Sequence, residues 1–190
     1  MAIRNQLPPW HEKMHLANGR EVLIRPVRPE DATILRATFP LFEPQSVAKI
    51  FQSSDAELGV DDAARLAQPD PKNEFVLVAT EPYEPGEAMI FAMVRGKTEE
   101  GSDEAEFHVL VGRNVLNLGL GRHLLSRLSR WTKGRGISRM VGDLPQENSP
   151  ILDHADSLGF QRQSESEESG LVRVVLDGGA NAEAEAEAPR

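Results

Sequence analysis

Gly119 and Gly121 have the clearest chemical meaning in this chain, because they form a Gly-x-Gly turn between a predicted strand and a predicted long helix. The strand is predicted over residues 104–111 and the helix over residues 119–133. A glycine turn that opens a helix presents unpaired backbone N–H groups and the positive end of the helix dipole to one point. Because such a point binds phosphate, the turn predicts an anion site.

The residues around the turn narrow the kind of phosphate ligand. A dinucleotide-binding fingerprint needs a third glycine at position 124, where Leu124 stands. The Walker A pattern is also excluded, since no Gly-Lys-Ser/Thr follows. A lone glycine pair is more often only a turn that lets a strand and a helix pack closely, so the turn needs support from other stretches.

Composition sets limits on the function. The 190 residues contain no cysteine, which excludes disulfides, thiolate catalysis and cysteine-bound zinc, and no metal site is predicted. The net charge of -9 argues against general nucleic-acid binding. Neither an apolar run long enough to cross a membrane nor a signal peptide is present, so a cytoplasmic location without membrane partners is expected.

Alternating strand and helix patterns organise the rest of the chain. Residues 1–20 are predicted to be an N-terminal extension, 21–177 a single domain, and 178–190 a disordered acidic Ala/Glu tail. The order of elements predicts a mixed α/β fold, a mixed sheet with helices on both faces. Strands are predicted at 21–27, 74–79, 88–95, 104–111, 139–144, from 160 onward and at 171–176, and helices near 30–39, 44–52, 60–67, 119–133 and between Asn148 and Gly159.

Four stretches, in this order and at this spacing, resemble one family. They are residues 22–32, 105–111, 116–122 and 141–160. The third resembles the Gln/Arg-x-x-Gly-x-Gly/Ala motif of the GNAT superfamily of acyl-CoA-dependent N-acyltransferases. All four together resemble the acetyltransferase domain of bacterial protein-lysine acetyltransferases, here as a free-standing version without an acyl-CoA-synthetase-like region. The resemblance implies the GNAT fold, a central twisted, mostly antiparallel mixed sheet.

The resemblance also implies acetyl-CoA as the cofactor and assigns residues to it. A main-chain N–H within Val109, Leu110 and Val111 is expected to stabilise negative charge on the thioester oxygen. Asn148 is expected at the pantetheine arm, although its role as helix N-cap is at least as well supported. The pyrophosphate is expected against Leu116, Asn117, Leu118, Gly119, Leu120, Gly121 and Arg122.

Catalysis on an amine needs a base, because a free lysine keeps its proton at neutral pH. Glu106 matches the glutamate position that the resemblance implies for a general base; from the residues alone it reads more readily as a surface carboxylate. His108 lies two residues later in the strand and so shares the face of Glu106. It is either a proton relay or, more often for a single histidine, a packed neutral residue.

Two residues depart from the motif. Leu116 stands where the motif has Gln or Arg, so weaker coenzyme A binding is expected, since most of the remaining donors are backbone groups. Ala155 stands where many GNAT enzymes have a tyrosine that protonates the leaving thiolate. The narrower lysine-acetyltransferase group also tends to lack it, and solvent would then supply that proton.

The sequence therefore predicts an acetyl-CoA-dependent N-acetyltransferase that modifies a protein lysine by direct transfer, with an acyl-CoA synthetase as one candidate acceptor. Two alternatives stay open. One is a non-catalytic acyl-CoA-binding regulatory module, which Leu116 suggests, and the other is an acetyltransferase of a small amine. The acceptor and the oligomeric state do not follow from the sequence.

Overall fold

The computed structural model describes residues 9–42, 47, 57–166 and 170–177. These residues form one eight-stranded sheet with helices on both faces, as the sequence predicts. The strands are β1 Glu12–His15, β2 Glu21–Pro26, β3 Glu74–Thr80, β4 Ile90–Thr98, β5 Glu104–Val111, β6 Arg139–Pro145, β7 Gln161–Ser166 and β8 Leu171–Asp177. The helices are α1 Ala32–Thr38, α2 Val60–Leu66, α3 Leu120–Arg135 and α4 Ser149–Ser157.

The sheet is mostly antiparallel and has the strand order β1-β2-β3-β4-β5-β6-β8-β7. Its one parallel pair joins β5 to β6, whereas all other neighbours run antiparallel. The parallel pair follows from the connection, because α3 returns the chain to the starting end of β5 before β6 begins. The predicted mixed and mostly antiparallel sheet is confirmed.

Two hydrophobic cores lie on opposite faces of the sheet. One packs under α3 and α4, and the other under α1 and α2. Alternate residues of β5 contribute to each, since successive side chains of a strand point to opposite faces. Phe107 and Val109 belong to the first core, and Leu110 belongs to the second.

The stretch from Arg25 to Asp31 is held by a buried ion pair. The Arg25 Nη1 and Nη2 donate to the two Asp31 carboxylate oxygens at 2.7 and 2.8 Å. The same carboxylate accepts the backbone N–H groups of Arg28 and Gly86. Burial by itself raises the pKa of Asp31, but these hydrogen bonds outweigh burial and hold the pKa below its ordinary value. The pair fixes the end of β2 against the start of α1.

The structure departs from the predicted elements at the N-terminal end. β1 lies within the segment predicted as an extension, and it pairs along β2. The helix predicted over 30–39 is a 3-10 turn at Pro29–Asp31, then α1, then a second 3-10 turn at Phe39–Leu41. The predicted helix at 44–52, apart from Val47, and the predicted tail at 178–190 lie outside the described residues. No helix of the described segments is long and apolar enough to span a membrane.

Candidate active site

The central feature of the sheet is an opening between β5 and β6. The two strands pair from Glu104 opposite Arg139 as far as Phe107 opposite Gly142. Beyond that point β5 continues to Val111, while β6 continues to Pro145 and pairs with β8 on its other side. The strands therefore separate, and the last residues of β5 have a strand neighbour only on the β4 side.

The backbone of β5 presents N–H groups to this opening. The Gly112 N–H, just after the strand, donates to the Phe91 carbonyl of β4 at 2.8 Å. Because successive amides of a strand point to opposite sides, the N–H groups of Val111 and Val109 point away from β4 and into the opening. Leu110 differs from these two, because its N–H points to β4 and its side chain is buried in the core under α1 and α2.

The turn before α3 has the backbone shape of an anion site. Asn117 and Gly119 both have positive φ values, 60° and 94°, in the left-handed region. Asparagine and glycine tolerate this region best, which explains these residue types in the turn. Alternating backbone conformations of this kind point successive N–H groups towards one side and create a concave anion site. Helix α3 then begins at Leu120 with its first N–H groups unpaired within the helix.

Gly121 lets α3 approach its neighbours closely. A Cβ atom at position 121 would lie 3.1 Å from the Ile151 Cδ1 and 3.3 Å from the Val111 Cγ2. Ile151 is in the first turn of α4, and Val111 ends β5. The glycine thus brings the start of α3 against the start of α4 and the end of β5.

A cleft of about 180 Å³ lies where these three elements meet. The N-termini of α3 and α4 both border it, so two positive helix-dipole ends favour an anion there. Three of the predicted cofactor residues do not line the cleft, namely Val109, Leu110 and Leu118. Three residues that were not predicted do line it, namely Val115, Pro150 and Ile151. The predicted residues that line it are Val111, Leu116, Asn117, Gly119, Leu120, Gly121, Arg122 and Asn148.

Two of the lining residues bear on the alternatives left open by the sequence. Leu116, which stands where the motif has arginine or glutamine, is half-buried in the cleft wall. The Asn148 Oδ1 accepts the Ile151 N–H at 3.3 Å and so caps α4. Asn148 therefore fills its helix-capping role and also borders the cleft. Ala155 lies fully buried in the core under α3 and α4.

Strand β1, which the sequence analysis did not predict, contacts α3 and the turn that precedes it. The Glu12 carboxylate pairs with the His123 Nε2 at 2.9 Å and with Arg127, both on α3. Burial raises the pKa of Glu12, but hydrogen bonds and charge from these two partners outweigh burial and lower the pKa below its ordinary value. Met14 lies against the turn, with its Cε 3.8 Å from where a Gly119 Cβ would be. The alternation of inward Glu12 and Met14 with outward Lys13 was the available signal for a strand.

A neutral histidine lies between α3 and α4 behind the cleft. The His154 Nε2 is 2.7 Å from the Ser126 Oγ. Burial lowers the pKa of His154, and the positive charge of Arg122 lowers it further. At neutral pH the junction between the two helices therefore carries no added charge from His154.

Glu106 lies at the other end of the opening from the cleft, near its apex. Its side chain is 66% exposed on the sheet face that carries α1 and α2. The His108 side chain is 15% exposed on the same face, with its Nε2 3.7 Å from the Glu106 Oε1. About 10 Å of strand separate Glu106 from Val109.

Glu106 differs from the other carboxylates on this part of the sheet. In the part of the chain that the structure describes, no Lys or Arg nitrogen lies within ion-pair distance of it, and its ion-pair contact is His108. The neighbouring carboxylates are neutralised by arginines, in the pairs Glu74–Arg95, Glu104–Arg139 and Asp143–Arg173. Glu106 lies opposite Lys97 of β4 and interacts electrostatically with Arg173, but neither cation is within ion-pair distance of its exposed carboxylate, which can therefore attract a further cationic partner.

Several known structures share this fold. The GNAT domain of S. lividans PAT is 23% identical, with a TM-score of 0.71, and the match covers 90% of this chain and 99% of that domain. A PaiA N-acetyltransferase from Thermoplasma acidophilum, solved in complex with coenzyme A, is 13% identical, with a TM-score of 0.61 and coverage of 82% and 98%.

A cAMP-binding acyltransferase from Mycobacterium smegmatis is also similar, at 19% identity and a TM-score of 0.57. The match covers 88% of this chain and 46% of the mycobacterial chain, so the present chain spans about half of that protein. No protein-family model matches the sequence. The sheet order, the opening between β5 and β6 and these similarities together show that the chain has the fold of the GNAT N-acyltransferases.

Proposed function

We propose that this protein is an acetyl-CoA-dependent N-acetyltransferase that acetylates a lysine side chain of another protein. One observation carries the proposal. The opening between β5 and β6 leads from a cleft built for an anion, past the amides of Val109 and Val111, to the exposed carboxylate of Glu106. These are the groups that transfer of an acyl group to an amine requires.

The cleft residues suit the pyrophosphate of coenzyme A. The Asn117–Gly119 turn and the start of α3 would hold it through backbone N–H groups, and the exposed Arg122 would add positive charge. Acetyl-CoA, when bound, would supply the activated acyl group. The N–H groups of Val109 and Val111 would stabilise the negative charge that develops on the thioester oxygen.

Glu106 would prepare the acceptor. Its exposed carboxylate attracts the lysine ammonium and then accepts the proton, so that the amine can attack as a neutral nucleophile. The proton would pass directly, through a water molecule, or through His108, which lies one residue before Val109 on the path. Transfer is direct, because the chain has no cysteine to carry an acyl group.

The choice of a protein lysine rests on two supports. Four stretches of the sequence resemble bacterial protein-lysine acetyltransferases, and Glu106 lies on an exposed sheet face that a long side chain could approach. An acyl-CoA synthetase is a candidate acceptor, and a cytoplasmic location belongs to the proposal.

A second candidate function is a non-catalytic acyl-CoA-binding module, and the observation that favours it is Leu116 in the cleft wall. Calorimetric titration with acetyl-CoA, paired with an assay of thiol release, separates the two. An acetyltransferase binds acetyl-CoA and releases coenzyme A faster when a lysine-containing acceptor protein is added. Binding without acceptor-dependent release would favour the module, and release with small amines but not with proteins would favour a small-amine enzyme.

A further inference from the structure

Phe107 closes the inner end of the opening between β5 and β6. It is the last residue of β5 that pairs with β6, and its partner there is Gly142. A Cβ atom at position 142 would lie 2.5 Å from the Phe107 ring, so the ring rests directly on the Gly142 backbone. Only glycine at 142 leaves space for the ring.

The Phe107 ring is also fixed from the side away from Gly142. Its side chain is fully buried in the core under α3 and α4. The Phe160 ring packs against it edge to face, with the ring centroids 5.5 Å apart. Because protein cores are close-packed, the ring cannot move aside without shifting Phe160 or the strand backbone.

The opposite face of the sheet at this point is polar. It carries Glu106, His108 and the Asp143–Arg173 ion pair. An alkyl chain that left the opening on this side would lie against charged groups and compete with the acceptor amine for space. The inner end of the opening is therefore bounded by a fixed aromatic ring on one face of the sheet and by charged side chains on the other.

We infer that Phe107 is a specificity-determining residue that restricts this site to short acyl groups. The inference rests on the proposed function, because it takes the thioester to lie beside the Val109 and Val111 amides. Two residues, about 7 Å of strand, separate Val109 from Phe107. Because the end of the acyl chain has to stay about 3.5–4 Å from the ring, about 3 Å of this distance is free for the chain. Acetyl and propionyl groups fit in that space, whereas a hexanoyl chain is about twice as long and has to displace the Phe107 ring or cross the charged face.

The test compares acetyl-, propionyl-, butyryl- and hexanoyl-CoA as donors for wild type, Phe107→Leu and Phe107→Ala. For wild type, kcat/KM with hexanoyl-CoA is expected to be at least tenfold below kcat/KM with acetyl-CoA. Methylene groups that do not fit a shaped pocket lower kcat/KM by this order of magnitude. Phe107→Ala is expected to shift the hexanoyl-to-acetyl ratio at least tenfold towards hexanoyl, and Phe107→Leu by less. Phe39→Leu, a fully buried phenylalanine of the other core, is the matched control and leaves the ratio unchanged.

Thermal unfolding of each variant reports whether it folds. If Phe107→Ala does not fold, the shift in the hexanoyl-to-acetyl ratio of Phe107→Leu decides the question. Calorimetric affinities for coenzyme A and hexanoyl-CoA distinguish a failure of the Phe107 inference from a failure of the proposed acetyltransferase function. Equal use of acetyl- and hexanoyl-CoA by wild type would overturn the role of Phe107 and leave the acetyltransferase intact. Absence of coenzyme A binding, or of acetyl transfer from a bound donor, would overturn the proposed function itself.

Discussion

Gly121 and Ile151 join the two helices that border the anion cleft, because a Cβ atom on Gly121 would come within 3.1 Å of the Ile151 Cδ1. That distance is shorter than ordinary carbon–carbon contact, so a side chain at position 121 requires the Ile151 side chain, and the Val111 side chain beside it, to shift. The cleft exists because the two helix starts can approach this closely, and its shape should be sensitive to that contact.

Gly121→Val is expected to abolish measurable acetyl-CoA binding, because its side chain would crowd Ile151 and Val111 where they border the cleft. Gly119→Val is expected to do the same for another reason, since its φ of 94° is unfavourable for a β-branched residue even though the nearest neighbours leave room for a Cβ. Calorimetric titration measures the acetyl-CoA affinity of both variants. Gly134→Ala is the matched control, because nothing lies within 4 Å of its Cβ and its φ is not positive.

The control should bind acetyl-CoA like wild type and gain up to about 1 kcal/mol in stability from alanine in the helix. Binding by Gly121→Val at near wild-type affinity would show that the phosphate does not lie at this turn.

Leu116→Arg is expected to tighten acetyl-CoA binding by about 1 kcal/mol, the value of one partly exposed charge-assisted hydrogen bond. The reason is that Leu116 lines the cleft, so an arginine there can extend towards the anion. Titration at two salt concentrations checks whether the gain in affinity is electrostatic, because an electrostatic gain should shrink at high salt. Unchanged or weaker binding would mean that the Leu116 side chain does not face the ligand.

Asp31→Asn is expected to lower the free energy of unfolding by about 3–5 kcal/mol, because it leaves the buried Arg25 charge uncompensated. Denaturant unfolding measures this loss. Asp62→Asn, in an exposed pair with Arg65, is the control and should cost less than about 1 kcal/mol. Similar losses for the two variants would contradict the role assigned to the buried pair.

The same pair gives stability a defined pH dependence. The pKa of Asp31 is lower in the folded protein than in the unfolded chain, so folding favours the ionised carboxylate. Its contribution is present above the unfolded pKa of about 4 and is lost as the pH falls through the folded pKa. Wild type should therefore lose more stability than Asp31→Asn between neutral and acid pH.

The sequence predicted most strands and the anion turn because these depend on local patterns. The Gly119-x-Gly121 turn, the alternation in β5 and the Asn148 cap are all encoded within a few residues. β1 was missed because it is only four residues long, so its alternation is a weak signal. Its contacts with α3, from Glu12 to His123 and Arg127, lie outside any local pattern. Local pattern cannot show a contact between residues more than a hundred positions apart.

The same limit applies to the chemistry of β5. Its sequence showed which side chains share a face, but not where β6 separates from it. The assignment of the Val109 and Val111 amides to the opening depends on that point of separation. Glu106 differs from Glu74, Glu104 and Asp143 because arginines from other strands pair with those three carboxylates, which the sequence of β5 could not show either.

Glu106→Gln tests whether Glu106 is the general base, because glutamine keeps the size of the side chain but cannot accept the proton of the amine. The measurement is acceptor-dependent release of coenzyme A from acetyl-CoA across a range of pH, with donor affinity measured in parallel and Glu104→Gln as the control. We expect unchanged affinity for acetyl-CoA, a loss of turnover of about 10²–10⁴-fold at neutral pH, and a smaller loss at higher pH where more lysine is neutral. Turnover within a few-fold of wild type at neutral pH would contradict the role of Glu106 as general base.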